Sequence, residues 1–216
     1  YTFKGVLYSF SLTEGVFDQT MKSELGGDYS ILSTMVINSD GRLFITFQSQ
    51  DGLGPYYRGF FCMNSSGAPE TGTYAEEFDP SSSVDAYTEM VLSESTGRIY
   101  GAGFRYDVPG DRRVALLSSF DYTELLETGS HGSIPLIAEV ADDPGAGEQS
   151  SMTGIDFDSE GNLVVSGGFT DGADFGMMVE EYDTDLELVK PQEDFYGGGR
   201  SALAYDLAVD EFGNTL

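Results

Sequence analysis

The stretch IDFDSEGNLVVSGGF, residues 155–169, decides how this chain reads as a fold. Ile155 and Phe157, then Leu163 and Val165, alternate at the two-residue period of a strand that buries one face. Between them Ser159-Glu160-Gly161-Asn162 supplies a tight turn, where glycine takes positive φ without a steric penalty. The stretch is a β-hairpin by pattern, ending on an apolar strand that runs into glycine.

The pattern recurs. MVINSDGRLFITF at 35–47, MVLSESTGRIYGAGF at 90–104 and LAVDEFGNTL at 207–216 repeat it, and the turn glycines Gly41, Gly97, Gly161 and Gly213 are spaced by 56, 64 and 52 residues. A period of that order marks a repeat architecture. A further apolar strand closed by a polar turn accompanies the hairpins: GVLYSFSLTEGVF at 5–17, GFFCMNSSG ending at 67, VALLSSFDYTEL ending at 125 and GMMVEEYDTDLEL ending at 188. From turn glycine to strand end the distance is nearly constant, 22 residues to Met63, 23 to Phe120 and 21 to Tyr182. Length variation falls in the connectors, of which GSHGSIPLIAEVADDPGAGEQSS is the longest, as expected of packed units joined by exposed loops.

These units predict an all-β chain, a β-propeller of four-stranded antiparallel blades. Three repeats are complete, at about 26–80, 81–145 and 146–197, with partial blades at 1–25 and 198–216. The whole of 1–216 is expected to be one propeller domain, or a segment of a larger one whose missing strands come from more chain or from a partner.

The unit TGIDFDSEGNLVVSGGFTDGADFGMMVEEYDTDLELV, at 153–189, resembles the bacterial β-propeller repeat of the SBBP type. That repeat has an aliphatic strand, D-x-x-G-N, an alternating strand ending in Gly, a Gly/Asp loop and a Lys-Tyr-Asp strand end. In the other units Arg42 and Arg98 stand where Asn162 does, and in this unit Glu181 replaces the usual Lys. The resemblance implies a propeller fold and a secreted or cell-surface setting, and it implies no particular chemistry.

Composition narrows the partners. With 37 Asp and Glu against 10 Lys and Arg, the formal net charge is −27, so phosphate backbones are repelled and nucleic acid is excluded as a partner. No apolar run is long enough to cross a bilayer, and anionic membrane surfaces offer no attraction. An extracellular or cell-surface location follows as the expectation, with divalent cations as natural counterions. Cys62 is the single cysteine and reads as a buried strand residue.

Candidate chemistry is sparse. Asp156, Asp158 and Glu160 before Gly161 have the look of a D-x-D-x-E-G calcium loop, making Ca²⁺ the one candidate cofactor against a plain hairpin turn. Asp171 and Asp174 form a second acidic loop. His131, the only histidine, lies in a small-residue connector with no nucleophile or second ligand beside it. YGGGR at 196–200 lacks the Gly-Lys-Ser/Thr ending of a phosphate loop. Asn64, in NSS, is an N-glycosylation acceptor by pattern.

The first functional expectation is therefore a non-enzymatic, secreted or cell-surface scaffold that binds protein partners at open blade edges, without a catalytic set. The alternative is a carbohydrate-active hydrolase or lyase using carboxylates and tyrosines at the propeller axis. A convergent pocket separates the two.

Overall fold

The computed structural model describes residues 6–11, 16–24, 29–50, 56–65, 69–78, 81, 83–126, 134–142, 148–171, 174–196 and 204–210. Their secondary structure is antiparallel β with one short helix, and the chain divides into two compact units. The first comprises 1–79 and 122–135, the second 80–121 and 136–216. Among the described residues no helix is long and apolar enough to cross a membrane.

The first unit holds a two-stranded sheet, β1 (Val6–Ser11) with β2 (Val16–Glu24), and a four-stranded sheet in sequential order. The latter runs β3 (Tyr29–Ile37), β4 (Leu43–Gln50), β5 (Tyr56–Met63) and β6 (Pro69–Phe78). Ile45, Phe47, Phe61 and Met63 form its core, with Leu32 and Leu43 packed against them. After the polar turn expected at FDYTEL the chain makes a single helical turn, α1 (Tyr122–Leu126), where a short strand was expected. Burial explains it: Leu125 is fully enclosed, Tyr122 meets Phe44 edge-on at 5.8 Å, and the Cys62 thiol donates to the Leu125 carbonyl at 3.8 Å.

The second unit stacks two four-stranded sheets. One is β7 (Ser83–Ser93), β8 (Arg98–Asp107), β9 (Arg112–Asp121) and β10 (Leu136–Asp142); the other is β11 (Ser150–Phe157), β12 (Leu163–Asp171), β13 (Asp174–Tyr182) and β14 (Leu188–Tyr196). Both run in sequential order, and among the described residues no sheet closes on itself. The long connector turns out to contain β10, because Ala138 and Val140 of LIAEV alternate onto the core. Tyr100, Ala102, Ala115 and Leu117 from the first sheet interlock with Met152, Ile155, Leu163, Val165 and Met178 from the second, all at most 1% exposed. At roughly 1.5–3 kcal/mol per large side chain removed from water, that seam is the main stabilising term of the unit.

The turns carry their own logic. Asp158 Oδ1 accepts from the backbone N–H of Glu160 and of Asn162, both at 2.8 Å, and Gly161 sits at φ 88°. Gly41 and Gly97 hold φ 77° and 70° at the matching hairpins. Asp183 repeats the device with Asp185 and Glu187 at 2.9 Å, there with Leu186 at φ 65°.

Each sheet's first strand also shares an irregularity that periodicity did not show. The register of β7 shifts between Tyr87 and Glu89, that of β11 between Met152 and Gly154, and that of β3 between Leu32 and Met35. The skipped residues include Thr88, Thr153 and Thr34. A bulge of this kind re-aims the side chains around it.

Candidate functional site

In the second unit the bulged threonines tie neighbouring segments together. Thr88 Oγ1 donates to the Met152 carbonyl at 2.9 Å and Thr153 Oγ1 to the Ala204 carbonyl at 2.8 Å, so β7, β11 and the segment 204–210 lie in succession. Ser150 adds a further tie: its hydroxyl donates to the Asp142 carbonyl and accepts from the Ala115 N–H, both at 2.8 Å.

Three carboxylates gather along that succession. Glu89, just past the Thr88 bulge, reaches across to accept from the Ile155 N–H at 2.8 Å. Asp156 Oδ1 accepts from its neighbour Phe157 N–H at 2.8 Å, and Oδ2 from the Val209 N–H at 2.9 Å. Asp206 is exposed and accepts from the Leu207 N–H at 2.8 Å through one oxygen. Burial raises the Glu89 carboxyl above the ordinary 4.5, and the negative charges of Asp206 and Asp156 push the same way, against the lowering effect of the Ile155 N–H. Glu89 thereby favours keeping its proton.

Beside Asp206, Tyr205 borders an open cleft of about 360 Å³, lined by residues of β9, β11, β12 and β13 of the same unit. Phe169 and Phe175 supply apolar surface, and Arg113, Gln149 and Ser151 supply polar surface. Among the described lining residues none is Asp or Glu.

A second buried pair is structural. Tyr182 donates to Glu180 at 2.7 Å, and burial together with that carboxylate drives the phenol far above its ordinary value. Arg105 is likewise held by Asp85 at 2.7 and 3.0 Å and by Glu139 at 2.9 Å, joining β8, β7 and β10.

The residues singled out in the sequence do not converge. Asp156 joins the carboxylate trio, whereas Asp158 and Glu160 belong to the hairpin turn, where Asp158 is occupied by turn amides. Among the described residues no group of three His, Cys, Asp or Glu could hold a metal. Asp171 and Asp174 pair across the end of the β12–β13 hairpin. Asn64 is half-buried directly after β5. His131 and Gly213 lie outside the described residues, as does most of YGGGR. Glu89, Asp206, Tyr205 and Arg113 were missed, because in a chain with 37 acids no single carboxylate stands out by type; the threonine two residues before Val36, Met90 and Ile155 was the available signal.

No protein-family model matches the sequence, and no curated protein matches it. Among solved structures the chain is similar to the crystal structure of a thermostable family-43 glycoside hydrolase, with 14% identity and a TM-score of 0.43 over 83% of this chain. The chain spans about 61% of that protein's length. A likeness this distant assigns no residue a role. The expectation of a non-enzymatic scaffold finds no support in the comparisons, and the protein they name is an enzyme.

Proposed function

We propose that the second unit carries the acid–base centre of a carbohydrate-active hydrolase, its successive sheets serving as propeller blades with β7, β11 and 204–210 as neighbouring inner strands. The observation that carries this reading is Glu89: a bulge re-aims it, burial and two carboxylates raise its affinity for a proton, and an exposed carboxylate on the adjoining segment affects it directly. Paired carboxyls whose environments differ in this way are the equipment of glycoside hydrolysis.

In that scheme Glu89 donates its proton to the glycosidic oxygen as the bond to the anomeric carbon breaks. Asp206 is the open carboxylate that assists water or the anomeric centre. Asp156, with both oxygens occupied by backbone N–H groups, holds the 204–210 segment in place beside Glu89.

The test is turnover of a panel of 4-nitrophenyl glycosides and soluble polysaccharides. Proton donation is worth roughly 10²–10⁴ in rate, so Glu89→Gln is expected to lower kcat by at least about 100-fold with KM little changed on poor leaving groups. A folded Glu89→Gln protein with unchanged kcat on every hydrolysed substrate removes the reading.

A further inference from the structure

The cleft beside Tyr205 differs in charge from its surroundings. The chain carries 37 acidic against 10 basic residues, yet the described residues around this opening include an arginine and no carboxylate. Arg113 is exposed and lies over the Phe104 ring with its guanidinium carbon 4.6 Å from the centroid, a cation–π contact that restrains its position. Among the described residues it forms no ion pair, so its N–H groups remain available. Arg105, by contrast, is saturated by Asp85 and Glu139.

The rest of the lining is built for a ring with hydroxyls. Tyr205 is 82% exposed and Phe175 44% exposed, two aromatic surfaces left open to solvent at one cleft. The hydroxyls of Ser150 and Thr153 are spent on backbone partners, while the side chains of Gln149 and Ser151 are not engaged with any described group. Aromatic faces take the C–H side of a pyranose, amide and hydroxyl groups take its edge, and a planar guanidinium takes a carboxylate in a two-pronged contact.

We infer that this cleft is a subsite for a hexuronate residue of an acidic saccharide, with Arg113 holding the carboxylate and Tyr205 stacking on the sugar ring. The inference rests on the carbohydrate reading of the same unit and names its substrate class. Net negative charge does not defeat it: beyond about 8 Å the field of the remaining acids is screened at physiological salt, whereas a carboxylate seated on Arg113 is at contact distance.

The test is binding, measured by calorimetry or by shifts of protein NMR signals, on a Glu89→Gln background so that turnover does not enter. The probes are the methyl glycosides of glucuronic and galacturonic acid, their neutral counterparts from glucose and galactose, and acetate. A uronide is expected to bind at least tenfold more tightly than its neutral counterpart and than acetate. Arg113→Gln removes that preference, and Tyr205→Ala weakens both sugars. Equal binding of uronide and neutral sugar, binding of acetate as tight as the uronide, a preference that survives Arg113→Gln, or no uronide binding at 10 mM (about 2.7 kcal/mol) each overturns it. Because Glu89 is not in the cleft, the loss of turnover that tests the acid–base reading and the loss of uronide preference are separate results.

Discussion

Thr88 Oγ1 donates to the Met152 carbonyl at 2.9 Å, and one sheet further on Thr153 Oγ1 donates to the Ala204 carbonyl at 2.8 Å. The same bulged residue thus performs the same task twice. Each hydroxyl also contacts its own sheet, Thr88 at Ala102 O and Thr153 at Ser166 O, so one atom joins a bulge to the neighbouring segment. Thr88→Val and Thr153→Val each keep shape and delete the donor. Each is expected to cost about 1 kcal/mol, read as a lower urea midpoint at unchanged slope.

Glycines inside the second strands face those bulges, Gly103 opposite Tyr87 and Gly167 opposite Met152. A Cβ at Gly167 would overlap the Ser151 carbonyl oxygen, and one at Gly103 the Ala86 carbonyl oxygen, whereas around Gly161 nothing lies within 4 Å. Gly167→Ala is therefore expected to lose about 3 kcal/mol through forced backbone movement. Gly161→Ala loses about 1 kcal/mol, from positive φ alone. Denaturation that ranks Gly161→Ala as the worse of the two would refute the bulge account.

Ser150→Ala strips partners from two backbone groups at once, the Asp142 carbonyl and the Ala115 N–H. With Ser150 only 2% exposed, water does not replace the hydroxyl, and the loss is expected at about 2–4 kcal/mol. Hydrogen exchange at Ala115 is the direct readout and should accelerate in the variant.

Leu186 sets two effects against each other. Its φ of 65° favours glycine by about 1 kcal/mol, but its side chain is 5% exposed in the core, worth roughly 1.5–3 kcal/mol. Burial wins, so Leu186→Gly is expected to destabilise; a more stable variant would show that turn strain dominates.

Glu89 gives the fold a pH signature. Its folded-state value lies above the ordinary 4.5, so the native protein keeps this proton where the unfolded chain has lost it. Its contribution to stability therefore falls as pH rises from the ordinary value through the raised one, and does not differ between folded and unfolded chains below that interval. Glu89→Gln is expected to gain stability relative to the parent on passing from acidic to neutral pH. A parent-minus-variant difference that stays flat across that range contradicts the raised value.

The hairpins were legible because two-residue alternation around a positive-φ glycine is a local signal, as in Ile155–Phe169. That signal also placed a glycine at the close of the strand, but β12 continues to Asp171; Gly167 answers instead to crowding by a bulge in β11, set by pairing across strands. β10 hid in a connector because its pattern spans only LIAEV beside Gly- and Ser-rich sequence. The candidate site was less legible still. Glu89 is one acid among 37, and its distinction arises first from burial and then from the charges of Asp206 and Asp156, which are 117 and 67 positions further along. Asp158 drew notice through local spacing, yet local spacing serves the turn it caps.

Cys62 is 1% exposed, lies in the first unit and is the chain's single sulfhydryl. A reagent such as a maleimide or a disulfide dye finds nothing else to react with, and reaches this sulfur only when β5 and α1 part. Labelling kinetics on the unmodified protein consequently time the opening of one unit alone. Set beside a global probe such as circular dichroism, they reveal whether the two units melt as a single cooperative body or in separate steps, with no engineered reporter.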